Sequence, residues 1–181
     1  MRPPIKIAIL ALIAAAGSFA QQKDWHLILD ERLHYFGDHN WIVVADSAFS
    51  LRSAPGIETI VSGDSHVNTV RQVLDLLSKQ THVRPVIYTD SELPHVAEQD
   101  APGISAYRQL LSGLLEKFFP VSPAKAILHR DMIRTIDEAA KTYNVLIIKT
   151  NIALPYTPVF FELSAGYWSD EAEQRLREAF R

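Results

Sequence analysis

The sequence predicts a single-domain α/β protein in which a mainly parallel central sheet is flanked by helices. Its 181 residues are 48% hydrophobic, which suits one domain with a sizeable core. Short apolar segments alternate with segments of helical periodicity along most of the chain, and this alternation is typical of α/β folds. The run Trp41–Ala45 contains no polar residue, which indicates a strand buried on both faces.

Each element is predicted from its own local pattern. The helices carry apolar residues at three- and four-residue spacing and end near glycine or proline. In chain order they cover residues 25–35, 68–78, 105–118, 130–143 and 170–181. The strands are short apolar runs bounded by polar or turn-forming residues. They cover residues 41–45, 57–61, 83–88, 126–128, 145–148 and 159–163, and the acidic, proline-containing stretch 91–102 predicts a loop.

The first twenty residues predict a signal peptide. A basic start at Arg2 and Lys6 precedes an apolar run, and Ser18-Phe19-Ala20 has the small-x-small pattern of a cleavage site. A retained membrane anchor is the alternative, but the run is shorter than the roughly 20 apolar residues that cross a bilayer. We expect cleavage near Ala20, export to the periplasm or the medium, no membrane contact afterwards, and a folded domain over residues 21–181.

Composition narrows the class of function. A net charge of -3 and a pI near 6.1 provide no basic surface for nucleic acid. Seven histidines among 21 acidic residues leave acid–base chemistry on a small molecule open, because imidazole titrates near neutral pH. The chain has no cysteine, so disulfides cannot stabilise it in an oxidising compartment.

Reactive side chains concentrate in three segments: 37–40 together with Asp46, 63–66, and 149–156. Asp46 ends an apolar strand, where open α/β sheets bind ligands, although an aspartate there also serves as a cap or turn residue. Ser65 in Gly63-Asp64-Ser65 leaves a small esterase as an alternative. A site for a divalent metal, held by aspartate and histidine, is a second alternative. Compactly spaced ligands are missing, so we expect no metal and no cofactor.

Two segments resemble the D-ribose pyranase and L-fucose mutarotase family. Residues 36–47, Phe-Gly-Asp-His-Asn-Trp-Ile-Val-Val-Ala-Asp-Ser, are similar to the family's early motif, in which a short polar step precedes an apolar strand ending in aspartate. Residues 145–168, with Pro155-Tyr156 and Ala165-Gly166-Tyr167, resemble its closing strand, tyrosine turn, strand and Ala-Gly-aromatic ending. Residues 69–74 lie where the family has a glutamine-containing helix. In order and spacing, the resemblance spans residues 27–168.

The resemblance implies an RbsD-like fold, an acid–base site and no cofactor. The family's strand-end aspartate falls on Asp46 and its tyrosine on Tyr156. Its histidine falls on Asp38, with His39 one residue later, so one of these two is expected to be a proton carrier, with Asp46 orienting an imidazole. The family's asparagine after the tyrosine is Pro158 here, which leaves the choice of sugar open. Further substrate contacts are expected from the side chains of Arg134, Lys149, Asn151 and His66.

The expected activity is therefore interconversion of the cyclic forms of a free ribose- or fucose-like monosaccharide. The resemblance also implies a ring-shaped homo-oligomer with sites at subunit interfaces. A sugar-binding module that lost its proton carriers is the alternative that Asp38 and Pro158 favour, and the esterase is a further one.

Overall fold

A computed structural model describes residues 24–118 and 123–180 as one domain built on a six-stranded mixed sheet. The predicted signal peptide, residues 1–20, lies outside the described residues. The strands are β1 Trp41–Ala45, β2 Ile57–Val61, β3 Val83–Asp90, β4 Lys125–Ile127, β5 Val145–Lys149 and β6 Val159–Ala165, in the sheet order β2-β5-β1-β6-β3-β4.

The predicted mainly parallel sheet is confirmed, with one strand reversed. β1 is parallel to β5, β5 to β2, and β3 to β4, whereas β6 is antiparallel to both β1 and β3. The reversal follows from the connection between β5 and β6. Residues 150–158 are too few for the crossover of about a dozen residues that a parallel return needs. The carboxyl ends of five strands therefore lie at one edge of the sheet.

Helices cover the two faces of the sheet unequally. They are α1 Trp25–Leu33, α2 His66–Leu77, α3 Ile104–Phe118, α4 His129–Ala139 and α5 Asp170–Ala179. Buried residues of α1, α2 and α3 pack with Ile42 and Val44 on one face. On the other face Met132 and Ile136 of α4 pack against β1, β5 and β6. Among the described residues, no helix has both the length and the apolar character needed to cross a bilayer.

β1 lies in the middle of this arrangement. All five of its residues are buried, as the unbroken apolar run predicts, because helices cover it from both sides and strands pair with it along both edges. A central, fully paired strand is a rigid element, so the residue that follows it is held in a fixed place. That residue is Asp46.

Candidate functional site

Polar side chains collect at the edge where five strands end. Asp46 follows β1, Asp90 is the last residue of β3, and His129 begins α4 two residues after β4. The turn before β6 brings Tyr156 to the same place. Asp46, His129 and Tyr156 line one cavity of about 610 Å³, whose walls also include Phe49, Ile133 and Pro155. Carboxyl-end crevices of this kind are where open α/β sheets bind ligands.

A histidine–aspartate pair adjoins this cavity, which His129 lines. His129 Nδ1 is 2.7 Å from Asp90 Oδ2, and the Asp90 side chain is 0% exposed against 33% for His129. Glu92 fixes the same histidine from the other side, because the backbone N–H of His129 donates to both carboxylate oxygens at 3.1 and 3.0 Å. With Nδ1 bound to Asp90, Nε2 is the ring nitrogen that can take up a proton in the neutral imidazole.

Charge and burial act differently on the two partners. The hydrogen bond to Asp90 raises the pKa of His129, and the charges of Asp90, Glu92 and Asp46 add to this, against an opposing effect of burial. Burial raises the pKa of Asp90, and it outweighs the hydrogen bond and charge of His129, which lower it. An ion pair in water would lower the carboxyl pKa, so desolvation dominates at Asp90. Among the described residues, Asp90 Oδ1 is buried with no hydrogen-bond partner.

Tyr156 packs against the imidazole of His129 in the cavity wall. Its ring lies edge-on to His129, with 5.7 Å between centroids and an interplanar angle of 85°. It is 39% exposed. Its φ of 56° lies in the left-handed region. Among the non-glycine residues that the structure describes, His39 is the other one with a positive φ, at 67°. Backbone strain of this kind costs about 1–3 kcal/mol and concentrates at functional sites.

Asp46 adds a third polar group. Its Oδ1 accepts a hydrogen bond from the backbone N–H of Ala48 at 2.8 Å, which fixes the carboxylate at the start of the loop after β1. Lys149, the last residue of β5, donates from Nζ to the carbonyl of Phe49 at 2.8 Å. This bond braces the loop that forms one wall of the cavity. The geometry therefore provides a carboxylate, an imidazole and a phenol around one space.

Solved structures share this architecture. Bacillus subtilis RbsD, complexed with D-ribose, matches with a TM-score of 0.51 and 15% identity over 76% of this chain and 92% of that one. The fucose mutarotase of Streptococcus pneumoniae, in complex with L-fucose, matches with a TM-score of 0.50 and 19% identity over 80% and 96%. FucU from Bifidobacterium longum has a TM-score of 0.50 and 14% identity over 77% and 94%.

The chain has the RbsD/FucU-like fold. No family model matches it, and no curated protein matches it in sequence. The likeness is thus one of fold, with 14–19% of residues identical. The predicted fold class is confirmed.

Asp38 and His39 lie at the other end of β1 in this RbsD/FucU-like sheet. His39 Nε2 is 3.4 Å from Asp38 Oδ2, and its Nδ1 is 4.0 Å from Glu162. The five residues of β1 separate them from Asp46 by about 16 Å of extended chain. Within one chain, Asp46 therefore cannot orient His39, contrary to the expectation from the sequence.

Arg134 also lies away from Asp46. It lines a second cavity, of about 450 Å³, with His39, Trp41 and Tyr143. Its side chain extends from α4 one turn beyond His129, and an Nη1 atom lies 3.4 Å from Asp131. Within one chain, the structure thus divides the predicted residues into two groups, one at each end of β1.

Two further predicted substrate contacts, His66 and Asn151, differ in exposure. His66 is 1% exposed, and both of its ring nitrogens lie 3.2 Å from protein oxygens, so it cannot reach a sugar. The same burial prevents His66 from acting as a base for the exposed Ser65. Asn151 is exposed beside the end of β2, where its backbone N–H donates to the Asp64 carbonyl at 3.4 Å.

Asp90 and His129 are the residues that the sequence interpretation missed. Both obey the rule that pointed to Asp46, since each stands at or just after the carboxyl end of a strand. The predicted strand 83–88 stopped two residues before Asp90. His129 directly follows the predicted strand 126–128, but no local pattern pairs it with Asp90. In the described part of the chain, no cluster of three or more histidine, cysteine or acidic residues has the geometry to hold a metal ion.

Proposed function

We propose that the protein is a monosaccharide mutarotase that interconverts cyclic forms of a free sugar by acid–base catalysis. The observation that carries the proposal is the His129–Asp90 pair at 2.7 Å, placed edge-on to Tyr156 in a cavity that Asp46 also lines. A cavity of about 610 Å³ lies within the roughly 300–1,000 Å³ of small-molecule sites. The solved neighbours in complex with D-ribose and L-fucose support a monosaccharide as the ligand.

The reaction needs two proton carriers on opposite sides of one C–O bond. Opening the ring removes the proton from the anomeric hydroxyl and delivers a proton to the ring oxygen, and closing on the other face reverses both transfers. His129 Nε2 is suited to take the first proton, because Asp90 holds Nδ1 and stabilises the imidazolium that forms. Tyr156 and Asp46 are the groups available to serve the ring oxygen. Each positioned carrier contributes about 10²–10⁴-fold.

Exchange NMR on free ribose, fucose and other monosaccharides tests the proposal. Added protein should speed exchange between anomers, and His129→Gln or Tyr156→Phe should lower that rate roughly 10²-fold. His95→Gln is the matched control, because His95 is an exposed histidine outside the cavity. An unaccelerated exchange with every sugar, or an equal loss in the control, would sink the proposal.

A non-catalytic sugar-binding module is the second candidate. It is favoured by the placement of Asp38 and His39 away from the cavity within one chain, and by Pro158 where the resembled family has asparagine. Sugar-induced chemical-shift changes without faster anomer exchange would select this function over catalysis.

We further propose that the protein is exported and assembles into a ring-shaped homo-oligomer in which the end of β1 bearing His39 completes a neighbour's cavity. Light scattering after size exclusion measures the subunit number, and a monomer contradicts the assembly. An equimolar mixture of His39→Ala and Tyr156→Phe subunits, exchanged by dilution and reconcentration, should regain activity because some interfaces carry both native residues.

Export is tested separately. Amino-terminal sequencing of protein from the medium or periplasm should begin near Gln21, and an intact Met1 there contradicts the cleaved leader.

A further inference from the structure

A chain of buried hydrogen bonds connects the end of β1 with the segment that follows Tyr156. His66 Nε2 donates to the carbonyl of Val44 at 3.2 Å, and its Nδ1 lies 3.2 Å from the hydroxyl of Tyr107. That hydroxyl donates to the carbonyl of Thr157 at 3.0 Å. His66 is 1% exposed and Tyr107 6%, so the chain is closed to solvent.

The two ends of this chain flank the proposed catalytic groups. Val44 lies two residues before Asp46, at the end of β1. Thr157 directly follows Tyr156, and it is itself fully buried, with Oγ1 donating to the carbonyl of Leu154 at 3.1 Å. The His66 and Tyr107 side chains therefore join the end of the central strand to the left-handed turn of Tyr156.

We propose that His66 and Tyr107 are positioning residues that set the distance between the Asp46 strand end and the Tyr156 turn. The proposal rests on the function proposed above. Neither residue touches the cavity, so each acts through the backbone that carries the groups facing the sugar.

The proton inventory of the chain shows how its members can be linked. Both terminal partners are carbonyl oxygens, which only accept, so His66 must carry its proton on Nε2 and present Nδ1 as an acceptor. The single Tyr107 proton is then shared between two acceptors, the Thr157 carbonyl at 3.0 Å and Nδ1 at 3.2 Å. Burial lowers the pKa of His66 to about 4 and raises that of Tyr107, so both stay neutral across the working pH range.

Tyr107→Phe is the most direct test, since it keeps the ring and its edge contact with His66 but removes the hydroxyl. We expect kcat for anomer exchange to fall roughly tenfold with little change in KM, because a displacement of about 1 Å at a reacting group can cost 10²-fold. The pH–rate profile should keep its shape, as the proton carriers are intact.

Tyr88→Phe is the matched control. Its hydroxyl also donates one part-buried hydrogen bond, to Glu162 at 2.7 Å, but on the sheet face away from α2 and α3. It should lose a similar amount of stability with unchanged kcat. If both variants lower kcat equally, or if Tyr107→Phe leaves kcat unchanged, the positioning role is wrong.

A second readout separates this proposal from the proposed function. Amide NMR of Tyr107→Phe should show shift changes confined to residues 156 and 157 and the end of β1, whether or not the protein accelerates anomer exchange of any sugar. Unchanged amide shifts there overturn the positioning role. If Tyr107→Phe does not fold, His66→Gln, which can still donate to Val44, should keep the amide shifts of residues 156 and 157 closer to native than His66→Leu does. Equal displacement of these shifts in the two His66 variants also overturns it.

Discussion

Replacing His66 by glutamine should change how the free energy of unfolding depends on pH. Burial lowers the pKa of this imidazole from an ordinary value of 6.5 to about 4. Between these values the unfolded chain binds the proton and the folded chain does not. Stability supplied by neutral, buried His66 is therefore fully present above pH 6.5 and is lost as the pH falls through the folded value.

The size of the effect follows from the shift. Each pKa unit corresponds to 1.36 kcal/mol, so about 3 kcal/mol should be lost from His66 alone between pH 7 and pH 4. Glutamine does not titrate. The variant should be less stable than the native chain at pH 7, by about 1–3 kcal/mol for disturbed buried hydrogen bonds. This difference should shrink or reverse by pH 4.

Urea unfolding followed by circular dichroism at pH 7, 6, 5 and 4 measures the difference, at one protein concentration so that assembly contributes equally. His34→Gln is the matched control. It replaces an exposed imidazole at the carboxyl end of α1, outside the buried core, by the same amide side chain. Parallel curves for the native chain and His66→Gln would refute the reasoning. They would mean that the Tyr107 hydroxyl accepts a hydrogen bond from Nδ1–H of the imidazolium and stabilises its charge.

Two other perturbations act elsewhere in the chain. Asp90→Asn weakens the hydrogen bond and removes the charge that raise the pKa of His129. The acid limb of kcat/KM should therefore move to lower pH while kcat falls roughly 10–100-fold, measured against Asp75→Asn in a surface ion pair. An unmoved limb would contradict the pairing. Gly56→Ala should destabilise by about 2 kcal/mol or more in urea unfolding, because its Cβ would lie 2.4 and 2.6 Å from two backbone oxygens. Gly113→Ala in α3, with open space around it, should instead stabilise by up to about 1 kcal/mol.

Most of the fold was predictable because most helices and strands have a recognisable pattern within their own segment. The run Trp41–Ala45 is apolar throughout, and it is the strand that helices cover on both faces. The strand ends that were predicted wrongly depend on pairing with another strand. β3 continues past Tyr88 to Asp90 because β4 pairs with those last residues, Tyr88 with Lys125 and Asp90 with Ile127. A contact between segments this far apart in sequence leaves no periodicity in either one.

The same difference between local patterns and contacts of distant segments explains which site residues were predictable. Asp46 and Tyr156 each follow a recognisable element, and the structure places both on one cavity. The pairing of Asp90 with His129, 39 residues apart, exists only because β3 and β4 are neighbours in the sheet. His66 shows the reverse error. A histidine beside aspartate and serine looks reactive in sequence, but its first position on α2 turns the ring into the core.

Tyr156 and Tyr143 offer a comparison that isolates backbone strain at the site. Both tyrosines are 39% exposed and each lies against a histidine ring, but of the two only Tyr156 has a left-handed φ, of 56°. Glycine adopts that conformation without steric cost, whereas a non-glycine residue there costs about 1–3 kcal/mol.

Truncating either side chain removes a similar half-buried ring, so the difference between the two substitutions reports the strain. Tyr143→Gly should destabilise by about 1–3 kcal/mol, from lost apolar burial and added chain entropy. Tyr156→Gly should cost at least about 1 kcal/mol less, because relief of strain offsets the lost contacts, and it should still abolish anomer exchange. Thermal unfolding of both variants beside the native chain measures this. Equal losses would show that the turn holds Tyr156 without strain, and the argument that links its backbone to function would then fail even if its phenol proves essential.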